Sequence, residues 1–148
     1  MRYLAIDYGE KRWGLSYGDE IGVAVPLPAA VEATVKARMA HLEKEIAERQ
    51  ITEIVVGYPL NMDDTIGFKA REVDRFIDRV AKRFRMPVHR ADERLSTHQA
   101  KEDLALMGMR GKRGRKYRRS GDIDSRAAAV ILQDFLDGRD ETRGGVIG

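Results

Sequence analysis

The sequence predicts an α/β domain: a mixed sheet whose first three strands are antiparallel and whose later strands are parallel, with helices on both faces. Three observations carry that expectation. The early β-prone runs are separated only by turn signals, and the later ones alternate with stretches of helical periodicity. The 148 residues, 43% of them hydrophobic, are enough for one core.

Tyr3-Leu4-Ala5-Ile6 is the first β-prone run, and the turn Tyr8-Gly9-Glu10-Lys11 leads into Trp13-Gly14-Leu15-Ser16-Tyr17. The apolar stretch from Ile21 to Leu27 completes a meander. Val35, Met39, Leu42 and Ile46 then recur at spacings of 4, 3 and 4, one stripe on a helix. Glu53-Ile54-Val55-Val56-Gly57 reads as a buried strand, ended by Gly57-Tyr58-Pro59-Leu60-Asn61. Val73, Phe76, Ile77, Val80 and Phe84 line a second helix, closed by Pro87. Pro87-Val88-His89-Arg90-Ala91 is the next strand, followed by a helix through Ala100, Leu104 and Met107 with Ser96 or Thr97 as cap. A last helix opens at Asp124 and carries Ala128, Ile131, Leu132 and Phe135. Residues 1–137 are expected to form a single domain, and the tail 138–148 to fray.

Lys plus Arg number 27 and Asp plus Glu 24, a net charge of +3 that is unevenly spread. Between Gly108 and Gly121 stand Arg110, Lys112, Arg113, Arg115, Lys116, Arg118 and Arg119 with no acid among them, which leaves the rest of the chain at −4. A flexible loop over 108–121 follows from that self-repelling, glycine-punctuated composition. Solvation alone does not require one sign of charge, so the loop reads as a phosphate-contacting element. The absence of cysteine removes disulfides, thiolate chemistry and cysteine-based zinc sites, and fits a reducing cytoplasm. No membrane association is expected. The longest uncharged stretch, Ile21 to Val31, is broken by Pro26 and Pro28 and falls short of the ~20 apolar residues of a spanning helix. Asp7 comes too early for a signal peptide.

Asp7 and Asp92-Glu93 each follow an apolar strand, and Asp124 stands in the first turn of the last helix. Ligands of α/β sheets gather beyond the carboxyl ends of the strands, so these acids are placed to face one cleft. Each alone also fits a humbler role, a turn-stabilising acid or a helix cap. Their joint placement argues for a shared one. Two carboxylates ~5 Å apart at an effective dielectric of ~20 repel by about 3 kcal/mol. A fold that gathers three must protonate one or place a cation between them. All-oxygen ligands favour a hard divalent ion, Mg²⁺ or Mn²⁺, which suits phosphoryl chemistry.

Four ordered stretches, Asp7-Tyr8-Gly9-Glu10-Lys11-Arg12-Trp13-Gly14-Leu15-Ser16, Gly57-Tyr58-Pro59-Leu60-Asn61-Met62-Asp63, Asp92-Glu93-Arg94-Leu95-Ser96-Thr97 and Asp124-Ser125-Arg126-Ala127-Ala128 with Ile131-Leu132-Gln133, resemble the YqgF (RuvX) family. The resemblance implies a ribonuclease H-like fold related to Holliday-junction resolvases of the RuvC type. It also implies a metal-dependent nuclease that matures the 5′ end of precursor 16S rRNA in ribosome biogenesis, acting on structured rRNA within a pre-ribosomal particle. Asp7, Glu93 and Asp124 match the family's metal-binding, catalytic acids, with one or two Mg²⁺ or Mn²⁺ ions. Two alternatives stay open, a resolvase of four-way DNA junctions and a non-catalytic RNA-binding assembly factor. A resolvase requires a dimer to cut two strands symmetrically, whereas the sequence itself fits a monomer or weak homodimer. This chain departs from its relatives at Tyr58, at Asp64 and at Ala127-Ala128, where resolvases of the RuvC type commonly carry a further acid. Three acids hold a second ion less well than four, which leaves open a one-metal route or a second ion held partly by substrate phosphate.

Lys11 and Arg12, in the first turn, are candidates to reach a scissile phosphate, and Arg94 to bind one in a bidentate way. His41, His89 and His98 lack zinc-ligand spacing. Ser96-Thr97-His98 is better explained by helix capping than by a hydrolytic triad, and no Walker or dinucleotide-binding signature is present.

Overall fold

β1 (Tyr3–Tyr8) and β2 (Trp13–Gly18) pair antiparallel, with Tyr3 opposite Gly18 and Asp7 opposite Gly14. The turn between them closes around a glycine, because a Cβ at Gly9 would stand 2.6 Å from the Arg12 carbonyl oxygen. β3 (Val25–Ala30) adds antiparallel to β2 at the sheet edge. Pro26 and Pro28 are exposed there, on the kind of strand that tolerates residues unable to donate a ladder hydrogen bond. In this computed structural model, which describes residues 1–58, 68–92 and 122–147, the third strand begins four residues later than the apolar stretch suggests. Ile21 and Val23 are exposed in the turn and irregular segment that precede it, where Gly22 takes φ 88°.

α1 (Val35–Arg49) starts where the Thr34 hydroxyl accepts the Ala37 N–H at 3.1 Å, and it ends where Gln50 adopts the left-handed conformation at φ 54°. β4 (Glu53–Tyr58) lies parallel to β1, Ile6 opposite Val56. α2 (Phe68–Phe84) returns the chain to β5 (Val88–Asp92), parallel to β4 with Tyr58 opposite Asp92. The sheet order is β3-β2-β1-β4-β5, antiparallel in its first half and parallel in its second, as the sequence predicts. The final helix, α3 (Asp122–Ile147), opens two residues before Asp124 and runs on through the stretch from Gly138 for which fraying is expected. The predicted helix through Ala100, Leu104 and Met107, and the basic loop 108–121, lie outside the described residues.

Alternation along β1 divides the core. Leu4 and Ile6, with Leu15, Ile54 and Val56, pack beneath Met39 and Leu42 of α1 and Val73, Phe76, Ile77 and Val80 of α2. Tyr3, Ala5 and Val55 face the other way, under Ile131, Leu132 and Leu136 of α3. The helices thus cover both faces of the sheet, and residue parity along a strand decides which helix layer a side chain meets.

The α1 stripe differs from its expectation at one end. Val35 is exposed, and Arg38, which occupies the same face one turn on, is 5% exposed. Its head leaves the apolar layer by donating to the Lys11 carbonyl at 2.6 Å and the Glu32 carbonyl at 3.3 Å, with the guanidinium 5.2 Å from the centre of the Trp13 ring.

Candidate active site at the carboxyl edge of the sheet

β1, β4 and β5 run in one direction, so Tyr8, Tyr58 and Asp92 close the same edge of the sheet. Asp7 is the penultimate residue of β1, inside the strand rather than just after it, and is half-buried. By parity it lies on the α3 side of the sheet, the side that Tyr3 and Ala5 occupy.

Two serines bring the start of α3 to this point. The ladder between β2 and β3 shifts register between Trp13 and Leu15, and the buried Ser125 hydroxyl accepts the Leu15 N–H at 3.2 Å. The Ser16 hydroxyl donates to the Ala128 carbonyl at 2.7 Å one turn further along. Because Leu15 pairs with Ile6 and Gly14 with Asp7, the helix backbone at 124–125 is tied to the strand pair beside Asp7. Gly18 completes the close packing, since a Cβ there would meet Leu136 Cδ1 at 2.9 Å. Ser125→Ala is expected to leave the Leu15 N–H buried without its acceptor and to cost about 1–3 kcal/mol, read as a lower denaturant midpoint. An unchanged midpoint would mean that the clamp does not hold the helix start.

At the end of β4 the Tyr58 hydroxyl donates to Asp74 of α2 at 2.9 Å, and Arg90 of β5 pairs with the other Asp74 oxygen at 3.2 Å. Burial, reinforced by the Asp74 carboxylate, raises the Tyr58 phenol above its ordinary value, so it stays a neutral donor. This network fixes the β4 and β5 ends against α2. Elsewhere His41 stands 2.8 Å from Glu32, and His89 3.0 Å from Glu53, each a two-residue contact. Burial opposes the charge on Glu32, yet hydrogen bonds from His41 and the backbone outweigh it and hold that carboxyl below the usual range. Among the described residues no group of three His, Asp or Glu side chains is arranged to hold a metal.

The sequence-predicted site residues fall as follows. Asp7 is at the carboxyl edge; Asp124 is in the first turn of α3, with only its backbone described; Glu93 is the residue after β5 and lies outside the described residues. Lys11 and Arg12 are exposed in the β1–β2 turn, which is held rigid by Arg38 on the Lys11 carbonyl and by Trp13 Nε1 donating to the Gly9 carbonyl at 3.1 Å. Arg94, Arg110, Lys112, Arg113, Arg115, Lys116, Arg118 and Arg119 lie outside the described residues. Sequence reasoning missed Arg38, Ser16 and the clamp role of Ser125. For Ser125 a signal existed, a hydroxyl next to Asp124 at the start of an apolar helix.

A five-stranded sheet of this order, helices on both faces and a carboxylate on the central strand define an α/β domain of the ribonuclease H-like class. Solved structures agree on the fold. Thermus thermophilus RuvC in complex with a Holliday junction substrate superposes with a TM-score of 0.57 at 22% identity, covering 94% of this chain and 95% of that one. A second structure of Thermus thermophilus RuvC gives 0.56 at 23%, covering 96% of this chain and 98% of that one. The chain belongs to the RuvX family, whose model, described as Holliday junction resolvase, matches residues 1–138. A relative from Opitutus terrae, named "Putative pre-16S rRNA nuclease", is 49% identical over 94% of this chain and 93% of its own length. One of the same name from Anaeromyxobacter sp. is 39% identical over 94% and 98%. Among the described residues no helix is long and apolar enough to cross a membrane.

Proposed function

We propose that this chain is a divalent-metal-dependent endonuclease that hydrolyses phosphodiester bonds in structured RNA, processing the 5′ end of precursor 16S rRNA in the cytoplasm. The observation that carries this reading is Asp7, half-buried on the α3 side of the central strand, with the start of α3 tied beside it through Ser125. His89 of β5 meets Phe135 of α3, and Ala91 packs in the cluster that holds Tyr3 and Ala5, so the end of β5 shares a face with Asp7. Glu93, two residues beyond Ala91 in the sequence, is the third acid this reading assigns to the site.

The donor set fits a hard cation: Asp7, Glu93 and Asp124 offer carboxylate oxygens, and the chain contains no cysteine. Bound there, Mg²⁺ or Mn²⁺ would supply acidification of water and stabilisation of phosphoryl charge. The protein's own part is to hold three carboxylates in place through the β1 ladder, the end of β5 and the serine clamp of α3. Lys11 and Arg12, presented on a turn braced by Arg38, neutralise substrate phosphate next to Asp7. The positive end of the α3 dipole favours negative charge at the same place. The cations of residues 110–119 bind substrate phosphates in this reading.

A second reading keeps this chemistry and takes a four-way DNA junction, as supported by the description of the family model and by the likeness to RuvC. Incubation of the full chain with a precursor rRNA fragment and with a four-way junction, in Mg²⁺ or Mn²⁺, separates the two. Cleavage of the RNA with products bearing 5′-phosphate is expected. Symmetric cutting of the junction alone would favour the resolvase. Tight RNA binding without cleavage or metal binding would leave an assembly factor.

A further inference from the structure

We propose that the groove between α1 and α2, on the sheet face opposite α3, holds the single-stranded RNA flank of the substrate; this rests on the nuclease reading above. The open groove has a volume of about 890 Å³, with Lys36 of α1 and Arg75, Arg79 and Lys82 of α2 along a floor that includes Val35 and Met39. Arg83 also lines it but is engaged by Glu43 at 2.9 Å, and Asp78 is the one acid among the lining residues.

The ion pairs formed among the described residues engage none of Lys36, Arg75, Arg79 and Lys82. Arg75 and Arg79 are four apart and Arg79 and Lys82 three apart, spacings that put them on one face of α2, with Glu72 and Asp78 as the acids at helical spacing from them. Asp74, on the same helix, is committed to Tyr58 and Arg90. A cation row with an apolar floor between two helices matches the backbone and bases of one nucleic-acid strand, whereas a duplex would meet only its rims.

The groove also leads to the site. A second concavity of about 410 Å³ shares Val35, Arg75 and Arg79 with it and extends to Tyr8 and Trp13, with Glu10 and Glu72 also on its wall. Tyr8 is half-buried, its ring 4.6 Å from that of Phe76, and offers a stacking surface for a base. Tyr8 and Asp7 are consecutive on β1 and face opposite sides of the sheet, so a strand crossing the sheet edge there passes from the groove to Asp7.

The test compares wild type with Arg75→Gln/Arg79→Gln/Lys82→Gln, as full chains in EDTA. Each is titrated with one RNA hairpin carrying a 5′ single-stranded extension and with the same hairpin blunt-ended, across a salt series. On the extended hairpin the triple variant is expected to flatten the log-log salt slope by about 2, since each single-strand phosphate contact contributes roughly 0.7. The blunt hairpin should show no change. A milder pair, Lys36→Gln/Lys82→Gln, should flatten the slope by about 1.4 and serves should the triple variant not fold. An unchanged slope on the extended hairpin overturns the proposal, and equal flattening on both hairpins overturns its single-strand assignment. Failure of wild type to cleave RNA, with the slope change intact, would remove the nuclease reading and leave the groove standing.

Discussion

Asp7→Asn is expected to lower RNA cleavage by roughly 10³-fold, the order of loss on removing one preorganised electrostatic contact from a reacting centre. Overall secondary structure should be retained. Asn is nearly isosteric and Asp7 sits near the end of β1, where the ladder to Gly14 is made by backbone. The stability readout should move in the opposite direction. If Asp7, Glu93 and Asp124 share one cleft, each neighbouring pair repels by about 3 kcal/mol at ~5 Å and an effective dielectric of ~20, so the metal-free variant should melt higher than metal-free wild type. Adding Mn²⁺ should raise the wild-type midpoint, by about 2.7 kcal/mol at a hundredfold excess over Kd, and leave the variant unmoved. Inactivity with greater metal-free stability and no response to metal is a signature that a turn-stabilising aspartate would not produce. A variant that cleaves like wild type would remove Asp7 from the chemistry.

Neutralising Arg113, Arg115, Lys116 and Arg118 together is expected to cut deeply into binding at moderate salt. If about five cations of the 108–121 segment contact duplex phosphates, its share of the log-log slope is near −4.5, and a fourfold rise in salt weakens binding about 500-fold. Removing four leaves a share near −0.9. The measurement is RNA affinity at several salt concentrations with a duplex substrate, which keeps this contribution apart from the α1–α2 groove. A slope equal to that of wild type would return the segment to a solvated loop. Phosphate contacts carry no base preference, so the same variant should weaken unrelated duplexes equally.

Much of the fold was legible because periodicity and strand chemistry agree locally. The Val73–Val80 stripe forms α2, and Glu53 to Tyr58 forms a strand buried along its whole length. Sequence order also carried the topology, since a meander followed by strand–helix alternation allows few other sheets. The errors have physical causes. Ile21 and Val23 are apolar yet sit in a turn and irregular segment, where hydrophobicity says nothing about pairing; the sheet edge begins only where β2 offers a partner, at Val25 opposite Tyr17. Arg38 lies on an apolar face because a long side chain can bury its stem and still reach two carbonyls, a compensation that exists only once the Lys11 turn is folded against α1.

The candidate site was legible in part. Acids after apolar runs pointed to the carboxyl edge, and the structure puts Asp7 there with the α3 backbone beside it. What composition did not reveal was how the helix start is held. Ser125 and Ser16 read as ordinary small polar residues until a shifted ladder exposes the Leu15 N–H to one of them. The cation row of α2 was equally hidden. Arg75, Arg79 and Lys82 look like the solvated side of an amphipathic helix, and only the position of α1 turns that side into a groove wall.

The most direct measurement is the anomalous scattering of Mn²⁺ in crystals of the full chain soaked at millimolar concentration. The account predicts an ion at the carboxyl edge of β1 with oxygens of Asp7, Glu93 and Asp124 in its coordination shell. An edge that binds no manganese, with these three side chains directed to separate surfaces, would contradict it.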